Sequence, residues 1–141
     1  EKHKISLVLP LHPRTLKMKE ALLDKVIQEK LDQSPYIKII PPASFLDMIA
    51  LEKKSTLIIT DSGGVQKEAY FFQKPCVILR PQTEWVEITR AKCATIVDTD
   101  QDKILYAVDH FMKAENLNFP PVFGDGKAAE FILEEMLNQF G

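Results

Sequence analysis

The sequence predicts an α/β fold, a Rossmann-like parallel sheet with helices on both faces. Short apolar runs alternate along the chain with stretches of helical periodicity. The runs are continuous rather than alternating, which is typical of parallel strands that are covered on both faces. Polar or glycine-containing turns follow the runs. In such sheets the carboxyl ends of the strands form the edge where ligands bind.

The composition indicates one domain with a core of its own. The chain has 141 residues, 45% of them apolar, and a formal net charge of −2. Because no basic stripe is present, we expect no nucleic-acid partner. No run approaches the ~20 apolar residues that span a bilayer, and no signal peptide is recognisable. We therefore expect a cytoplasmic protein without a membrane partner.

The first part of the chain contains two predicted strands and two predicted helices. Residues 5–9 form a short apolar run that predicts a strand. An amphipathic helix follows over residues 15–33, and the Ser-Pro pair at 34–35 ends it. Residues 37–40 predict the second strand. A helix over residues 44–51 comes next, with its first residue, a serine, as the candidate cap.

The second part repeats the alternation. Strands are predicted at residues 56–60, 76–79 and 94–97. One helix is predicted at residues 64–72, and a short second helix ends near residue 91. A third helix begins after its capping residue Asp100. A long loop over residues 115–126 then leads to the last helix, at 127–139. On the last helix, the residues predicted to face the core are Ala129, Ile132, Leu133, Met136 and Leu137.

The junction after the third strand is the strongest candidate site. The strand at 56–60 leads through Asp61, Ser62, Gly63 and Gly64 into a helix. A helix start offers free N–H groups and the positive end of the dipole, which suits a phosphate. The glycines lack a Cβ, so a ligand can approach the backbone, and the serine can cap the helix. On spacing alone, the alternative is a tight turn with a capping serine.

Glu68 follows Ser62 by six residues, nearly two helical turns. Helical side chains lean towards the N-terminus, so the Glu68 carboxylate is expected to point towards the mouth of the site. A carboxylate does not bind phosphate, but it suits a neutral polyol such as ribose, as in dinucleotide sites. The alternative is an ordinary surface glutamate.

Other candidate residues lie near the ends of strands or on the next helix. Arg80 either binds phosphate or pairs with Glu84. His12 either packs its own loop through a hydrogen bond or binds phosphate or sugar. Met48, together with Phe45, has the pattern of a core residue of a short helix, and Trp85 is expected mainly to pack. We expect these loops to open on one edge of the sheet.

The two cysteines, Cys76 and Cys93, lie in or near apolar segments, far apart and without metal-ligand spacing. We expect two buried thiols in a reducing compartment, with a disulfide or a metal site as the alternative. No catalytic Ser/His/Asp order, carboxylate pair or metal cluster stands out. The sequence therefore predicts neither a metal nor a cofactor.

Three blocks of sequence carry a resemblance to a known family. Residues 60–69 spell Thr-Asp-Ser-Gly-Gly-Val-Gln-Lys-Glu-Ala, residues 79–85 spell Leu-Arg-Pro-Gln-Thr-Glu-Trp, and residues 123–128 spell Phe-Gly-Asp-Gly-Lys-Ala. With His-Pro-Arg-Thr at 12–15, they resemble the carboxyl-terminal half of the non-hydrolysing UDP-N-acetylglucosamine 2-epimerases over essentially the whole chain. The epimerase of UDP-2,3-diacetamido-glucuronic acid is a close relation within this group.

The resemblance implies a two-domain architecture of the GT-B type, in which the carboxyl-terminal domain binds UDP. The family inverts C2 of the sugar by elimination and re-addition of UDP. By resemblance, Ser62, Gly63 and Gly64 bind the diphosphate, Glu68 binds the ribose hydroxyls, and residues 43–48 contact uracil.

The chain departs from the family pattern at two of these positions. Met48 stands where the family commonly has Phe, so the resemblance does not carry over a stacking contact with uracil. Trp85 stands where the family often has an Arg, which leaves Arg80 as the nearby cation. His12 is carried over as part of the UDP site.

The resemblance also implies that the catalytic carboxylates and the first strand of this domain precede Glu1, which is not a Met. We therefore expect a single UDP-binding domain over residues 1–141, without a catalytic residue and inactive alone. The whole protein is expected to be a homodimer that acts on a UDP-sugar. Two alternatives stay open, a UDP-sugar-dependent glycosyltransferase of GT-B architecture and a non-catalytic nucleotide-binding module.

Overall fold

The computed structural model describes residues 4–140. Contacts within the chain define two compact units, the first ending at Ala50 and the second beginning at Leu51. Each unit combines parallel strands with helices, as the sequence predicts for an α/β protein.

In the first unit, strand β1 (Leu7–Pro10) pairs in parallel with strand β2 (Ile37–Ile40). The helix predicted over residues 15–33 is wrong in one respect, because it is two helices, α1 (Pro13–Leu22) and α2 (Lys25–Asp32). Asp24 caps α2, and its side chain accepts a hydrogen bond from the N–H of Ile27 at 2.8 Å. A short acidic side chain that bonds its own backbone favours a new helix start over a continuous helix.

Helix α3 (Phe45–Lys54) starts where the sequence predicts and ends about one turn later. Ser44 is its cap, since the Ser44 Oγ accepts from the N–H of Asp47 at 3.3 Å and donates to the Asp47 carboxylate at 2.6 Å. The extra turn brings Glu52 into the helix, where its side chain is buried.

In the second unit, three parallel strands have the order β3 (Ile58–Thr60), β4 (Cys76–Ile78) and β5 (Ala94–Ile96). Four helices accompany them, α4 (Gly63–Phe71), α5 (Val86–Arg90), α6 (Gln101–Lys113) and α7 (Ala128–Phe140). All three residues of the central strand are buried.

The core of this unit lies on both faces of β4. On one face Cys76 and Ile78 pack with Ala69 and Tyr70 of α4 and with Ile88 of α5. On the other face Val77 packs with Ala107 and Phe111 of α6. The prediction of parallel strands is confirmed. Cover on both faces is confirmed for β4, whereas Leu7 and Val8 of β1 are exposed.

Both cysteines are buried free thiols, as predicted. Burial raises the pKa of Cys76 to about 12 and that of Cys93 to about 11, so both carry their protons at neutral pH. The Cys93 thiol donates to the carbonyl of Asn118 at 2.9 Å and ties the long loop before α7 to the core.

The prediction that the apolar stripe of α7 faces a core is wrong in this chain, because every residue of α7 is exposed. The periodicity predicts the helix and its stripe correctly, but it does not specify what covers the stripe. Among residues 4–140, no helix combines the length and the apolar content needed to cross a membrane. The exposed residues of the predicted stripe are Ala129, Ile132, Leu133, Met136 and Leu137.

Candidate functional site

The amino end of α4 lies just past the carboxyl end of β3, where the sequence predicts the site. Ser62 is the cap, with extended backbone angles of φ −82° and ψ 124°, and its Oγ accepts from the N–H of Val65 at 3.5 Å. The Oγ1 of Thr60 accepts from the N–H of Ser62 at 3.0 Å and fixes the turn. The first-turn N–H groups of a helix have no partner within the helix, so they face outward. Ser62 and Gly64 are exposed, which leaves this helix start accessible.

The two glycines meet different surroundings. A Cβ on Gly63 would lie 3.3 Å from the Oε2 of Glu84 and 3.8 Å from the Nη1 of Arg80, which is a tight fit. Among the described residues, and apart from the helix's own backbone and the two chain neighbours, a Cβ on Gly64 would meet only the Oγ of Ser62, at 3.8 Å. Gly63 therefore lets the loop after β4 approach α4, and Gly64 keeps the helix start open.

Arg80 pairs with Glu84, which is one of the two roles that the sequence left open for it. The guanidinium makes two hydrogen bonds to the carboxylate, at 2.9 Å and 3.1 Å. These bonds hold the pKa of Glu84 below its usual range. The pair is partly exposed, and such surface pairs contribute little free energy. An anion at the helix start can therefore draw Arg80 away from Glu84 at small cost.

Polar contacts fasten the same loop onto α4. The indole N–H of Trp85 donates to the carbonyl of Gly63 at 2.8 Å. The Thr83 hydroxyl donates to the Oε1 of Gln66 at 2.6 Å and accepts from the N–H of Trp85 at 3.1 Å. Gln66 is fully buried. The position of Arg80 beside the helix start thus depends on Trp85 and on two side chains that the sequence did not single out, Thr83 and Gln66.

An aromatic cluster packs against both α4 and the loop after β4. Trp85 packs edge-to-face on Phe123 at 5.8 Å between ring centroids, which confirms its predicted packing role. The Nζ of Lys67 lies 4.3 Å from the Trp85 ring centroid and 4.8 Å from that of Phe123. Tyr70 adds edge-to-face contacts to Phe123 and to Phe119. The loop that carries the Phe-Gly-Asp-Gly block is therefore anchored to α4.

Glu68 lies on α4, half-buried, beside a second carboxyl group that sequence reasoning missed. That group belongs to Glu52 of α3, whose side chain is only 4% exposed. Burial, and then the neighbouring Glu68, raise the pKa of Glu52 to about 7. The predicted helix stopped at residue 51, one position short, so no pattern pointed to this residue.

Two further candidates, His12 and Met48, belong to the first unit. The His12 side chain caps α1, and its Nδ1 accepts from the N–H of Arg14 at 3.3 Å, which is the loop-packing alternative. Met48 is half-buried on α3. Phe45 is 70% exposed, so its prediction as a core residue is wrong. The apolar pattern of a short helix does not specify which other part of the protein packs against its apolar side chains.

Within the described range, 4–140, no group of three or more His, Cys, Asp or Glu side chains is arranged to hold a metal ion. The site is instead built from backbone N–H groups, a serine hydroxyl, an arginine and a carboxylate. A capped glycine turn at the carboxyl edge of a parallel sheet defines a Rossmann-like ligand-binding domain.

The chain belongs to the UDP-N-acetylglucosamine 2-epimerase family, whose model matches residues 1–137. A UDP-N-acetylglucosamine 2-epimerase homolog of Methanococcus maripaludis is 41% identical over 133 residues, covering 94% of this chain and 36% of the relative. A UDP-2,3-diacetamido-2,3-dideoxy-D-glucuronate 2-epimerase of Pseudomonas aeruginosa is 39% identical over 127 residues, covering 90% of this chain and 33% of the relative.

Solved structures agree with this assignment. The UDP-GlcNAc 2-epimerase of Methanocaldococcus jannaschii superposes with a TM-score of 0.82 at 34% identity, over 94% of this chain and 36% of that protein. The same enzyme in complex with UDP-GlcNAc and UDP gives a TM-score of 0.79 at 33% identity, over 97% of this chain and 37% of that one. The predicted family and the Rossmann-like fold are confirmed, and the chain spans about a third of the length of these relatives.

The buried Glu52 carboxyl makes stability depend on pH. Its pKa rises from 4.5 to about 7 on folding, so between these values the folded chain binds more protons than the unfolded chain. We expect the contribution of Glu52 to the free energy of unfolding to fall as pH rises from about 4.5 to 7, by at most about 1.4 kcal/mol per pH unit. Urea unfolding of the wild type and Glu52→Gln at several pH values isolates this contribution as a difference.

The exposed Glu115 provides the control, because Glu115→Gln should leave the pH profile of the wild type unchanged. Parallel profiles for the wild type and Glu52→Gln would contradict a raised pKa at Glu52.

Proposed function

We propose that this chain is the UDP-binding part of a UDP-sugar 2-epimerase, with the diphosphate bound at the start of α4. The whole protein then interconverts UDP-GlcNAc and UDP-ManNAc, or a related pair of UDP-2-acetamido sugars, by elimination and re-addition of UDP. The observation that carries the proposal is the accessible, Ser62-capped helix start after β3 in a chain of this family. Residues 1–141 are proposed to act as one UDP-binding domain.

The proposed diphosphate ligands are Ser62, Gly63 and Gly64. Their backbone N–H groups and the positive end of the helix dipole favour an anion, and the serine hydroxyl adds a donor. The side-chain atom that comes within 4 Å of the Cβ position of Gly64, in the part of the chain that the structure describes, is the Oγ of Ser62 at 3.8 Å, which supports access for a bulky phosphate. Arg80 is proposed to exchange its surface pair with Glu84 for the diphosphate, since a guanidinium binds either anion through two hydrogen bonds.

Glu68 is proposed to accept hydrogen bonds from the ribose hydroxyls. Its carboxylate lies on the same helix as the diphosphate ligands, nearly two turns further on, so one helix binds both parts of the nucleotide. Met48 is proposed to lie against uracil and His12 against phosphate or sugar. The roles of these two residues are proposed from the family to which the chain belongs, because both residues lie in the first unit and not in the second.

In this reaction the C2 proton leaves while the bond between C1 of the sugar and the diphosphate oxygen breaks, which forms a double bond between C1 and C2. A proton then adds to the opposite face of C2 while the diphosphate oxygen bonds to C1 again, so the configuration at C2 is inverted. Negative charge develops on the departing diphosphate. The N–H groups at the start of α4, with Arg80, are placed to stabilise that charge, which is the part of the chemistry we assign to this chain. We assign no catalytic acid or base to it, and we propose that the chain alone does not epimerise. A homodimer in the cytoplasm is likewise proposed for the whole protein.

The binding part of the proposal is tested by calorimetry of the 141-residue chain with UDP. Ser62→Ala and Glu68→Ala should each weaken binding by about 1–3 kcal/mol, because each leaves a polar group of the ligand without its partner. Glu115→Ala is the matched control, since Glu115 is exposed beyond α6, the helix on the other face of the sheet. Wild type that does not bind UDP would refute the proposed site, and unchanged binding by Glu68→Ala would refute the ribose contact.

The reaction is tested in the whole protein with UDP-GlcNAc and no acceptor. We expect the NMR spectrum to show a second UDP-sugar inverted at C2. A glycosyltransferase would instead turn over only when an acceptor is added, and a non-catalytic module would bind UDP without any product. Either result would contradict the epimerase proposal.

A further inference from the structure

The side chain of Glu52 is a buried carboxyl group without a donor. It is 4% exposed, and neither of its oxygens accepts a hydrogen bond from any donor among the residues that the structure describes. A buried carboxylate without donors is strongly unfavourable, and native proteins rarely contain one. Burial of Glu52 is therefore favourable only in a protonation state that gives its carboxyl group a hydrogen-bond partner.

Among residues 4–140, the groups that shift the pKa of Glu52 carry no positive charge. Its acidic neighbour is Glu68 of α4, whose charge favours the protonated form of Glu52, as does a hydrogen bond between the two side chains in that form. From β4 the neighbour is Cys76, whose pKa is raised to about 12 by burial and by the charge that Glu52 carries once it is ionised, so the thiol keeps its proton. On α3 itself, the Nζ of Lys53 lies 5.1 Å from the ring centroid of Phe72 instead.

One shared proton satisfies both carboxyl groups. Two ionised carboxylates are acceptors only, so they cannot hydrogen-bond to each other. With a single proton on Glu52, its O–H donates to the Glu68 carboxylate in a strong, charge-assisted bond. Glu52 is the more buried of the two and Glu68 is half-buried, so burial favours the proton on Glu52.

We propose that Glu52 is a positioning residue for the nucleotide site, whose protonated carboxyl group donates a hydrogen bond to Glu68 and orients its carboxylate towards the ribose hydroxyls. The inference rests on the proposed function, because it assigns a second residue to the ribose subsite. The pair joins the helix before β3 to the helix after it, so α3 sets the direction of a side chain on α4.

The arrangement makes the affinity for UDP depend on pH. When Glu52 loses its proton, two negative carboxylates face each other without a donor. Their repulsion favours a turn of the Glu68 side chain away from Glu52, and this turn removes the acceptor for the ribose. At one pH unit above the pKa of Glu52 about one molecule in ten keeps the competent form, so the wild type should bind about tenfold more weakly there.

The test is calorimetry of the 141-residue chain with UDP between pH 6 and pH 8.5, for the wild type, Glu52→Gln and Glu52→Leu. The ratio of Kd values between variant and wild type at each pH cancels the ionisation of UDP itself. Glu52→Gln keeps a donor that does not titrate, so it should match the wild type at pH 6 and bind about tenfold tighter at pH 8. Glu52→Leu has no donor, so it should bind UDP more weakly than the wild type at pH 6. Because this variant also lacks the titrating carboxyl group, its Kd should not show the pH dependence that Glu52 causes in the wild type.

A merely structural role for Glu52 would give Kd ratios that do not change with pH, which would overturn the inference. Carbon NMR of the Glu52 side chain supplies a readout without UDP, and a carboxyl group that titrates near its ordinary value would overturn it as well. If UDP binds and only these results fail, the proposed function stands and the positioning role falls. If the wild type binds no UDP at any pH, both fall.

Discussion

The structure of the second unit depends on helix α4, which is buried along one face and open at its first turn. Ala69 and Gln66 are fully buried, so the helix is fixed against β4 and the loop after it. Ser62 and Gly64 at its first turn are exposed, and Ser62 is the side chain that caps this turn among the residues that the structure describes. A helix held firmly in this way presents unsatisfied donors that need no rearrangement to meet an anion, which is the physical basis of the proposed diphosphate site.

The loop after β4 completes that arrangement. Trp85 fastens it to the carbonyl of Gly63, and Thr83 fastens it to Gln66. These contacts hold the Arg80–Glu84 pair at the helix start, where the cation already has an anionic partner. A surface ion pair of this kind adds little to stability. Its proposed role is to keep a guanidinium near the place where a diphosphate arrives.

Local patterns predicted much of the fold and of the site. The Ser62 cap, the helix after it and the buried strand at 76–78 follow from apolar runs, glycine spacing and capping chemistry. Patterns did not specify which surface covers the stripe of α7, or whether Arg80 meets Glu84, because both depend on how the folded chain arranges its side chains in space. The sequence did not predict a role for Glu52 for a related reason. Its raised pKa comes from burial beside Glu68 and not from any spacing along the chain.

A crystal structure of the chain with UDP is the most direct test of a diphosphate site at the start of α4. We expect diphosphate oxygens about 2.7–3.2 Å from the N–H groups of that helix start, with the Glu68 carboxylate on the ribose hydroxyls. We also expect Arg80 to have turned from Glu84 to the diphosphate. UDP bound elsewhere, with the start of α4 empty and the Glu68 side chain away from the ribose, would contradict the proposed site.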